Sequence, residues 1–260
     1  MSDAFPGFIS LISHMTTIAI FSDVHANIDA FEAVLTDATQ LGVTDWYCLG
    51  DVVGYGSEPG ECVRIVREKF RGCVLGNHED MLNSFSSNRA CDEWGPLVGW
   101  PLKIARRQLV KEKTWLRALP LVLEMDDIML VHSSPWRPET FSYVQNVEEA
   151  KISIKNLESS VAFIGHTHAP VIWEATGKEI RHTVPGEAPV ILYSGSRYLV
   201  NVGSVGQPRD GDSRACYVIY DPDRKAVWFR RIPYDIAKAQ KRFHEAGLVG
   251  WNGSRLAKGQ

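Results

Sequence analysis

The sequence has 260 residues, 45% hydrophobic and 23% charged, so it can bury a substantial core as one large domain or two small ones. Its 28 basic and 31 acidic residues give a net charge of −3 without blocks of like charge, which does not favour a protein that holds nucleic acid through a basic patch. No apolar run reaches the roughly 20 residues that span a bilayer, and five cysteines without a C-x-x-C pair suggest neither a disulfide framework nor a zinc knuckle.

The first residues are not typical of a secretion signal. The stretch Ala4–Ile12 is mildly apolar, but no Lys or Arg precedes it and no small-residue cleavage site follows it. We therefore expect residues 1–14 to be an N-terminal extension without a role in chemistry, and a cytoplasmic protein.

The first half of the chain alternates short apolar runs with amphipathic stretches, which predicts strand–helix repeats. Strands are predicted at residues 18–21, 46–49 and 73–75. A second helix is predicted to begin near Ser57 and Pro59. The first helix follows Asn27 as its N-cap and buries one apolar face, formed by Ile28, Phe31, Val34, Leu35 and Ala38.

The second half is rich in strands. Residues 81–120 are predicted to be mostly helical, with interruptions at Pro96 and Pro101, and further helices are predicted at 147–157 and 235–247. Strands are predicted at 121–125, 128–131, 161–164, 171–174, 179–184, 190–193, 197–202, 215–220 and 226–232. This order predicts an α/β fold of stacked sheets with helices outside, formed by a single domain over residues 15–260.

Side chains that can bind metals directly follow five of the apolar runs. They are Asp23 with His25, Asp51, Asn77 with His78, His132, and His166 with His168. The carboxyl ends of strands in an open α/β sheet share one edge, so we expect these residues to converge there. Glycines at positions 50, 76 and 165 fit the tight turns that such convergence needs.

Each of these groups taken alone has an ordinary explanation as a strand-end turn or a hydrogen-bonded loop. Two histidines two residues apart in a turn, as in His166 and His168, bind metal more often than the other patterns do. Five groups in order, each directly after an apolar run, are better explained by one shared metal site.

The order D-x-H, G-D-x-x-x-Y-G, G-N-H-E, H and G-H-x-H resembles the signature of the calcineurin-like metallophosphoesterases. It is most similar to the compact prokaryotic branch related to small phosphodiesterases and to diadenosine tetraphosphatase-type phosphatases. Segments 22–27, 50–56 and 201–209 also resemble this branch. The resemblance implies a four-layer α/β/β/α sandwich of two mixed β-sheets flanked by helices.

The resemblance also implies a binuclear metal site. Asp23, His25 and His168 would bind one ion, Asn77, His132 and His166 would bind the second, and Asp51 would bridge the two. A metal-bridging hydroxide would then hydrolyse a phosphodiester or a nucleotide-like phosphate ester. Imidazole, carboxylate and amide ligands suit Mn, Fe, Zn, Co or Ni better than Mg or Ca, and we expect manganese first.

His78 is expected to have a different task from its neighbour Asn77. Adjacent side chains in a turn point in different directions, so Asn77 can face the metal while His78 faces the substrate. In the family the matching histidine protonates the leaving group or stabilises the transition state. Glu79, or less plausibly Asp80, would hold its other ring nitrogen.

Asn27, Tyr55 and Arg209 are candidates for contact with the substrate. Asn27 also fits a helix cap, Tyr55 also fits a packed aromatic residue, and Arg209 fits a phosphate clamp and a surface ion pair equally well. The substrate is expected to be a small phosphorylated or nucleotide-like molecule. The sequence gives no indication of the oligomeric state.

Three alternative functions fit the same fold. A phosphomonoesterase or protein phosphatase would use the same metal ligands. A catalytically silent interaction module would be expected to lose ligands, and none is missing. A nuclease acting on polymers is disfavoured by the balanced charge and by the lack of a basic stripe studded with aromatic residues.

Overall fold

The structure, a computed structural model, describes residues 17–84 and 90–260, with the backbone alone for residues 90–94. The extension predicted at residues 1–14 lies outside the described residues, and so does a part of the helical stretch predicted between 81 and 120. Among the described residues, no helix is long and apolar enough to cross a membrane.

The described chain forms twelve strands and eight α-helices. The strands are β1 (Ile18–Phe21), β2 (Asp45–Cys48), β3 (Gly72–Cys73), β4 (Val122–Met125), β5 (Ile128–Val131), β6 (Val161–Ile164), β7 (Val171–Thr176), β8 (Glu179–Thr183), β9 (Val190–Ile191), β10 (Arg197–Asn201), β11 (Ala215–Asp221) and β12 (Ala226–Ile232). The helices are α1 (Ile28–Gln40), α2 (Pro59–Lys69), α3 (Asn77–Ser84), α4 (Ala90–Gln108), α5 (Lys113–Arg117), α6 (Val147–Lys155), α7 (Ile236–Glu245) and α8 (Gly250–Ser254).

The strands form two six-stranded sheets, each with parallel and antiparallel pairs. The first sheet has the order β3-β2-β1-β11-β12-β9, and the second has the order β4-β5-β6-β10-β7-β8. Strands β1, β2 and β3 run parallel, as do β5, β6 and β10. The carboxyl ends of each parallel set therefore open at one edge of their sheet, which is where the predicted site residues follow.

The central strands are apolar on both faces because both faces are covered. In β1, Ile18 and Ile20 pack between the two sheets, whereas Ala19 and Phe21 pack toward the helices. The same alternation places Phe163 of β6 between the sheets. Because successive side chains of a strand point to opposite faces, one short apolar strand contributes to two hydrophobic layers.

Helices cover the outer face of each sheet. Buried residues of α1 and α2 pack on the first sheet. Ala150 and Ile154 of α6 pack on the second sheet, against Ile164 and Leu199. The four-layer α/β/β/α sandwich predicted from the resemblance is confirmed, whereas the assignment of residues 15–260 to a single domain stays a prediction.

Most predicted elements differ from the observed ones by only a few residues at their ends, and α8 was not predicted. The largest local difference concerns the two prolines in α4. The helix breaks at Gly95, whose backbone has φ 66° and ψ 177°, and resumes with Pro96. It continues through Pro101, where the missing N–H leaves the carbonyl of Leu97 without its helical partner. Asn252 of α8 supplies a replacement, since its Nδ2 donates to Leu97 O at 3.1 Å.

Candidate metal centre

Five loops at the carboxyl ends of strands bring all seven predicted ligands together. Asp23 and His25 follow β1, Asp51 follows β2, Asn77 begins α3 after β3, His132 follows β5, and His166 and His168 follow β6. The two sheets contribute jointly, because the edges at which these strands end face the same region. Six of the seven side chains are almost completely buried, namely Asp23, His25, Asp51, His132, His166 and His168.

The first cluster contains Asp23, His25 and His168. Asp23 Oδ1 lies 3.2 Å from His168 Nε2 and 3.6 Å from His25 Nε2. The two imidazole Nε2 atoms lie 3.1 Å apart. Metal–ligand bonds of about 2.0–2.2 Å place neighbouring donor atoms roughly 3–3.6 Å apart, so these three atoms surround a volume of the right size for one ion.

The second cluster contains Asn77, His132 and His166. His132 Nε2 lies 3.1 Å from Asn77 Oδ1 and 3.2 Å from His166 Nδ1. Asp51 lies between the two clusters, with Oδ2 at 3.3 Å from His132 Nε2 and 3.8 Å from His25 Nε2. A single carboxylate thus contacts the donor atoms of both clusters.

Backbone carbonyls fix the tautomers of three of these histidines. The Nδ1–H groups of His25, His132 and His168 donate to Val53 O, Leu49 O and Gln207 O at 3.0, 2.7 and 2.6 Å. A carbonyl can only accept, so the proton on Nδ1 is fixed, and each ring can direct the lone pair of Nε2 into its cluster once Nε2 carries no proton.

The two carboxylate oxygens of Asp23 also have different surroundings. Its Oδ2 accepts hydrogen bonds from Ser22 Oγ at 2.7 Å and from the backbone N–H of His166 at 3.0 Å. Its Oδ1, the atom that faces the cluster, is buried and has no hydrogen-bond donor among the described residues. A buried carboxylate oxygen in this state is strongly destabilised unless a cation lies beside it.

The charge states of the cluster also fit divalent cations. Burial alone would raise the pKa of Asp51, but His132 and His78 outweigh it and hold the pKa well below its usual range. Burial lowers the pKa of His168 to about 4, so its ring is neutral at pH 7. Burial also lowers the pKa of His132, but the Asp51 carboxylate outweighs it and raises that pKa to about 10. A cation that enters the cluster would displace this proton, as metal binding to histidine generally does.

Two glycines allow the ligand loops to approach closely. A Cβ atom on Gly76 would lie 2.2 Å from Asp51 Oδ1, and one on Gly165 would lie 2.6 Å from Asp23 Oδ2. Neither distance is compatible with a side chain, so the predicted need for glycine at these turns is confirmed.

The ligand loops also hold backbone strain. Five of the ligands have the left-handed backbone conformation, namely Asp23, His25, Asp51, His166 and His168. Each non-glycine residue in this region costs roughly 1–3 kcal/mol and persists only where its surroundings impose it. Such strain concentrates at functional sites, which agrees with the buried cluster.

The structure assigns Glu79 a different contact from the one predicted. Its carboxylate is fully buried and accepts hydrogen bonds from the backbone N–H groups of Asp51, Val53 and Gly76. It therefore does not hold the ring of His78, whose Nδ1 has no hydrogen-bond partner among the described residues. Because both Glu79 oxygens accept hydrogen bonds from backbone N–H groups, this residue positions the loops that carry Asp51 and Asn77.

His78 belongs to neither of the two predicted ligand triads, although one of its ring nitrogens lies within 4.8 Å of ligand atoms of both His25 and Asp51. Its Nε2 is 3.9 Å from Asp51 Oδ2, and its backbone N–H donates to Asp51 Oδ1 at 2.8 Å. Burial lowers its pKa to about 3, so the ring is neutral at pH 7. The ring packs at 4.9 Å from that of His25 and at 4.7 Å from that of Tyr55.

Of the three predicted substrate contacts, Asn27 is occupied elsewhere. It caps α1, as predicted, because its Oδ1 accepts from Ala30 N at 3.3 Å. Its Nδ2 donates to Gly206 O and to Tyr234 Oη at 2.9 and 3.3 Å. Its side chain is buried and both N–H groups of its Nδ2 are engaged, which does not favour a contact with phosphate, and substrate contact by Asn27 stays a prediction.

Tyr55 and Arg209 do lie beside the cluster. The ring of Tyr55 is 4.6 Å from that of His25, and the guanidinium of Arg209 lies over the Tyr55 ring at 5.5 Å. Arg209 is joined to a ligand loop by its backbone, since its N–H donates to His168 O at 3.2 Å.

Two supporting features were missed by the reasoning from sequence. Ser204 Oγ donates to Asp23 O and accepts from Gln207 N, both at 2.9 Å, which ties the loop after β10 to the ligand loop after β1. Tyr143 stacks on His166 with ring centroids 4.0 Å apart. The resemblance over 201–209 was a signal for the first feature, whereas nothing in the sequence around Tyr143 indicated the second.

Comparison with known proteins agrees with this geometry. Residues 16–225 match the model of the calcineurin-like phosphoesterase superfamily domain. A relative from Methanocaldococcus jannaschii, described as an uncharacterized protein, is 33% identical over 248 residues, which span 94% of this chain and 98% of the relative.

Two solved structures are similar over almost the whole chain. A metallophosphoesterase from Sphaerobacter thermophilus is 37% identical, has a TM-score of 0.84, and aligns over 95% of this chain and all of its own. A hypothetical protein from Pyrococcus horikoshii is 19% identical, has a TM-score of 0.75, and aligns over 95% of this chain and 99% of its own. The second likeness concerns the fold alone.

Proposed function

The chain belongs to the calcineurin-like phosphoesterase superfamily, and from this premise we propose that it hydrolyses a phosphodiester or a nucleotide-like phosphate ester at a binuclear metal site. The observation that carries the proposal is the position of Asp51, whose Oδ2 lies between a cluster of two histidines and Asp23 and a cluster of two histidines and Asn77. A one-metal site would not need a carboxylate shared by two sets of donors.

Asp23, His25 and His168 would hold the first ion, and Asn77, His132 and His166 the second, with Asp51 contacting both. When bound, two divalent ions stabilise charge on the phosphoryl oxygens and lower the pKa of an attacking water. The mixed donor set supports a transition metal, and manganese remains our first expectation. The expected cytoplasmic location likewise stays a prediction.

The chain's own residues orient the reacting groups. The neutral His78 ring lies next to Asp51 but outside both ligand sets, so it can donate an N–H to an oxygen of the ester. A Cβ on Gly54 would lie 2.1 Å from His78 Nδ1, so the loop after β2 confines the ring. We propose that His78 stabilises or protonates the leaving-group oxygen, and that Tyr55 and Arg209 border the substrate.

A catalytically silent interaction module is less well supported. Such a protein would have no need for a buried carboxylate, Asp51, that contacts the donor atoms of both clusters. The partnerless Oδ1 of Asp23, in a site that all seven ligands still surround, favours a protein that binds metal to use it.

A metal-resolved assay tests the proposal. Protein stripped by a chelator is reloaded with Mn, Ni, Co, Zn or Mg and tested on bis-p-nitrophenyl phosphate and p-nitrophenyl phosphate. We expect turnover restored by metal, greater on the diester, and abolished in Asp51→Asn. Asp223→Asn, a change at an exposed turn, serves as the matched control and is expected to keep full activity. No turnover with any metal, although two ions bind per chain, would reject the proposed activity on such esters.

A further inference from the structure

His166 differs from the other three histidines of the predicted ligand set in how its ring is held. The rings of His25, His132 and His168 each donate from Nδ1 to a backbone carbonyl. His166 instead has its Nδ1 at 3.2 Å from His132 Nε2, and its Nε2 makes no hydrogen bond to any described residue. The orientation of the His166 ring therefore depends on another kind of contact.

Tyr143 makes that contact. The two rings are stacked, with their centroids 4.0 Å apart and their planes inclined by only 11°. A ring that is stacked face to face cannot tilt without losing contact area, so the contact restrains the plane of the imidazole. The lone pair that would bind a metal lies in this plane, and partners that orient a metal-binding histidine tune its affinity for the ion.

The loop between β5 and α6 fixes Tyr143 from both sides. On one side, the carbonyl of Ser142 accepts from Ser134 N at 3.2 Å. On the other side, Val144 is buried in the hydrophobic layer between the second sheet and α6. Phe141 has the left-handed backbone conformation with φ 49°, which persists in a non-glycine residue only where its surroundings impose it. The position of Tyr143 is thus set before any ion binds.

The ring of Tyr143 is not a core residue, although its neighbour Val144 is. Tyr143 is 45% exposed, whereas the His166 on which it stacks is 6% exposed. Removal of the Tyr143 ring therefore uncovers one face of a predicted ligand and leaves the buried layers of the fold intact. An effect on metal binding can be separated from an effect on folding for this reason.

We propose that Tyr143 is a positioning residue for the second metal ion, which acts by holding the His166 ring in the orientation that binds the ion. This inference rests on the proposed binuclear site and adds to it a residue outside both ligand sets. The first cluster does not depend on Tyr143, because backbone carbonyls orient both of its histidines, His25 and His168. The two ions should therefore respond differently to loss of the Tyr143 ring.

The experiment measures the binding of each ion, so that it does not depend on turnover. Protein stripped by a chelator is titrated with manganese in a calorimeter, and electron paramagnetic resonance distinguishes a single ion from a coupled pair. Tyr143→Leu should weaken binding of the second ion about 10–100-fold, as loss of a residue that orients a metal-bound histidine typically does, and change binding of the first by less than about twofold. Asn77→Ala, which removes a ligand of the second cluster, identifies the binding step of that cluster.

Further variants separate the ring from the rest of the side chain. Tyr143→Gln, a polar replacement that suits the exposed position, should give the same result as Tyr143→Leu. Tyr143→Phe keeps the ring and should keep the wild-type affinity for both ions. The matched control is Tyr193→Leu, at a tyrosine that is 68% exposed, which should also bind both ions as the wild type does. Melting curves of the metal-free variants should stay close to that of the wild type.

Unchanged binding of the second ion in Tyr143→Leu and Tyr143→Gln would overturn the inference, and so would equal weakening of both ions. A loss in Tyr143→Phe or in Tyr193→Leu as large as that in Tyr143→Leu would overturn it too. Unchanged metal binding with a raised KM for bis-p-nitrophenyl phosphate would assign Tyr143 to the substrate instead.

The same measurements distinguish failure of this inference from failure of the proposed function. A wild type that binds two ions and turns over the diester, but shows any of these contrary results, would keep the proposed function and lose the role of Tyr143. Two bound ions that depend on Tyr143, without turnover of either ester, would reject the catalytic proposal alone. A wild type that binds a single ion would reject the binuclear site and this inference together.

Discussion

Oε2 of Glu79 accepts a 2.8 Å hydrogen bond from the backbone N–H of Asp51. The same carboxylate accepts the N–H groups of Val53 and Gly76, so it joins the loop after β2 to the loop after β3. Asp51, which contacts both clusters, and Asn77, which belongs to the second, lie on these two loops. A buried carboxylate outside both predicted ligand sets thus determines where two predicted metal ligands lie.

Replacing Glu79 with Gln should destabilise both the fold and the metal centre. The new amide presents N–H groups to backbone donors, which leaves buried N–H groups unsatisfied at a cost of about 1–3 kcal/mol. Denaturant unfolding with and without manganese, combined with metal analysis, measures both effects. The control Glu68→Gln lies at an exposed ion pair and should change the free energy of unfolding by less than about 0.5 kcal/mol. Equal effects of the two variants would contradict a positioning role for Glu79.

Gly165→Ala should abolish activity while leaving most of the fold intact. The added Cβ would lie 2.0 Å from Ser22 Oγ and 2.6 Å from Asp23 Oδ2, so Asp23 must move. Circular dichroism, metal content and turnover of bis-p-nitrophenyl phosphate check this expectation. Gly186→Ala is the matched control, because a Cβ there meets no atom within 4 Å. Wild-type activity in Gly165→Ala would show that the site tolerates a displaced Asp23.

His78→Ala should keep both metals and lose rate. The ring lies outside both ligand sets, and loss of a positioned acid–base group typically lowers the rate about 10²–10⁴-fold. The loss should be greatest for esters with poor leaving groups, so rates are compared for p-nitrophenyl and phenyl esters of the same phosphate. His244→Ala, at an exposed position of α7, is the control. Metal loss with unchanged turnover per bound metal would exclude the acid role.

Metal removal should lower thermal stability, because Asp23 and Asp51 are buried carboxylates that a cation stabilises. Binding to the folded state alone adds about 2.7 kcal/mol when the free metal is at 100 times its Kd. Melting curves over a manganese titration should therefore show a rising Tm for the wild type and a much smaller rise for Asp51→Asn. A Tm that is independent of manganese in the wild type would mean that the clusters bind no manganese in the folded protein.

Asp37→Ala should destabilise the protein without direct damage to the site. Asp37 of α1 accepts a 2.6 Å hydrogen bond from the buried Tyr217 and pairs with Arg230 at 2.7 Å. Its removal takes the acceptor away from the buried Tyr217 hydroxyl and removes one ion pair of Arg230, at a cost of about 1–3 kcal/mol. The free energy of unfolding should fall by this amount, whereas kcat/KM should stay near the wild-type value at temperatures well below Tm. An unchanged free energy of unfolding would show that solvent replaces the acceptor.

Local patterns made the strands and the ligands predictable. A run such as residues 18–21, apolar on both faces, is typical of a strand covered on both sides, and the following Asp23 and His25 mark its end. Because strand ends that share a sheet edge converge, ordered motifs were enough to predict which side chains meet. The N-cap of α1 was predictable for the same reason, since Asn27 and the helix it caps are neighbours in the chain.

The amino-acid sequence by itself thus determined the strand ends and the chemical types of the predicted metal ligands, since each of these is a property of a few consecutive residues. The order of five such motifs along the chain indicated the family. The tertiary structure alone decided that Glu79 binds backbone amides instead of His78, and that Asn27 donates to Gly206 O and Tyr234 Oη. Most of these contacts join residues that are far apart in the chain, such as Asn27 with Gly206, which are 179 positions apart. Their geometry depends on how loops from different strands pack against one another, which no local pattern of residues specifies.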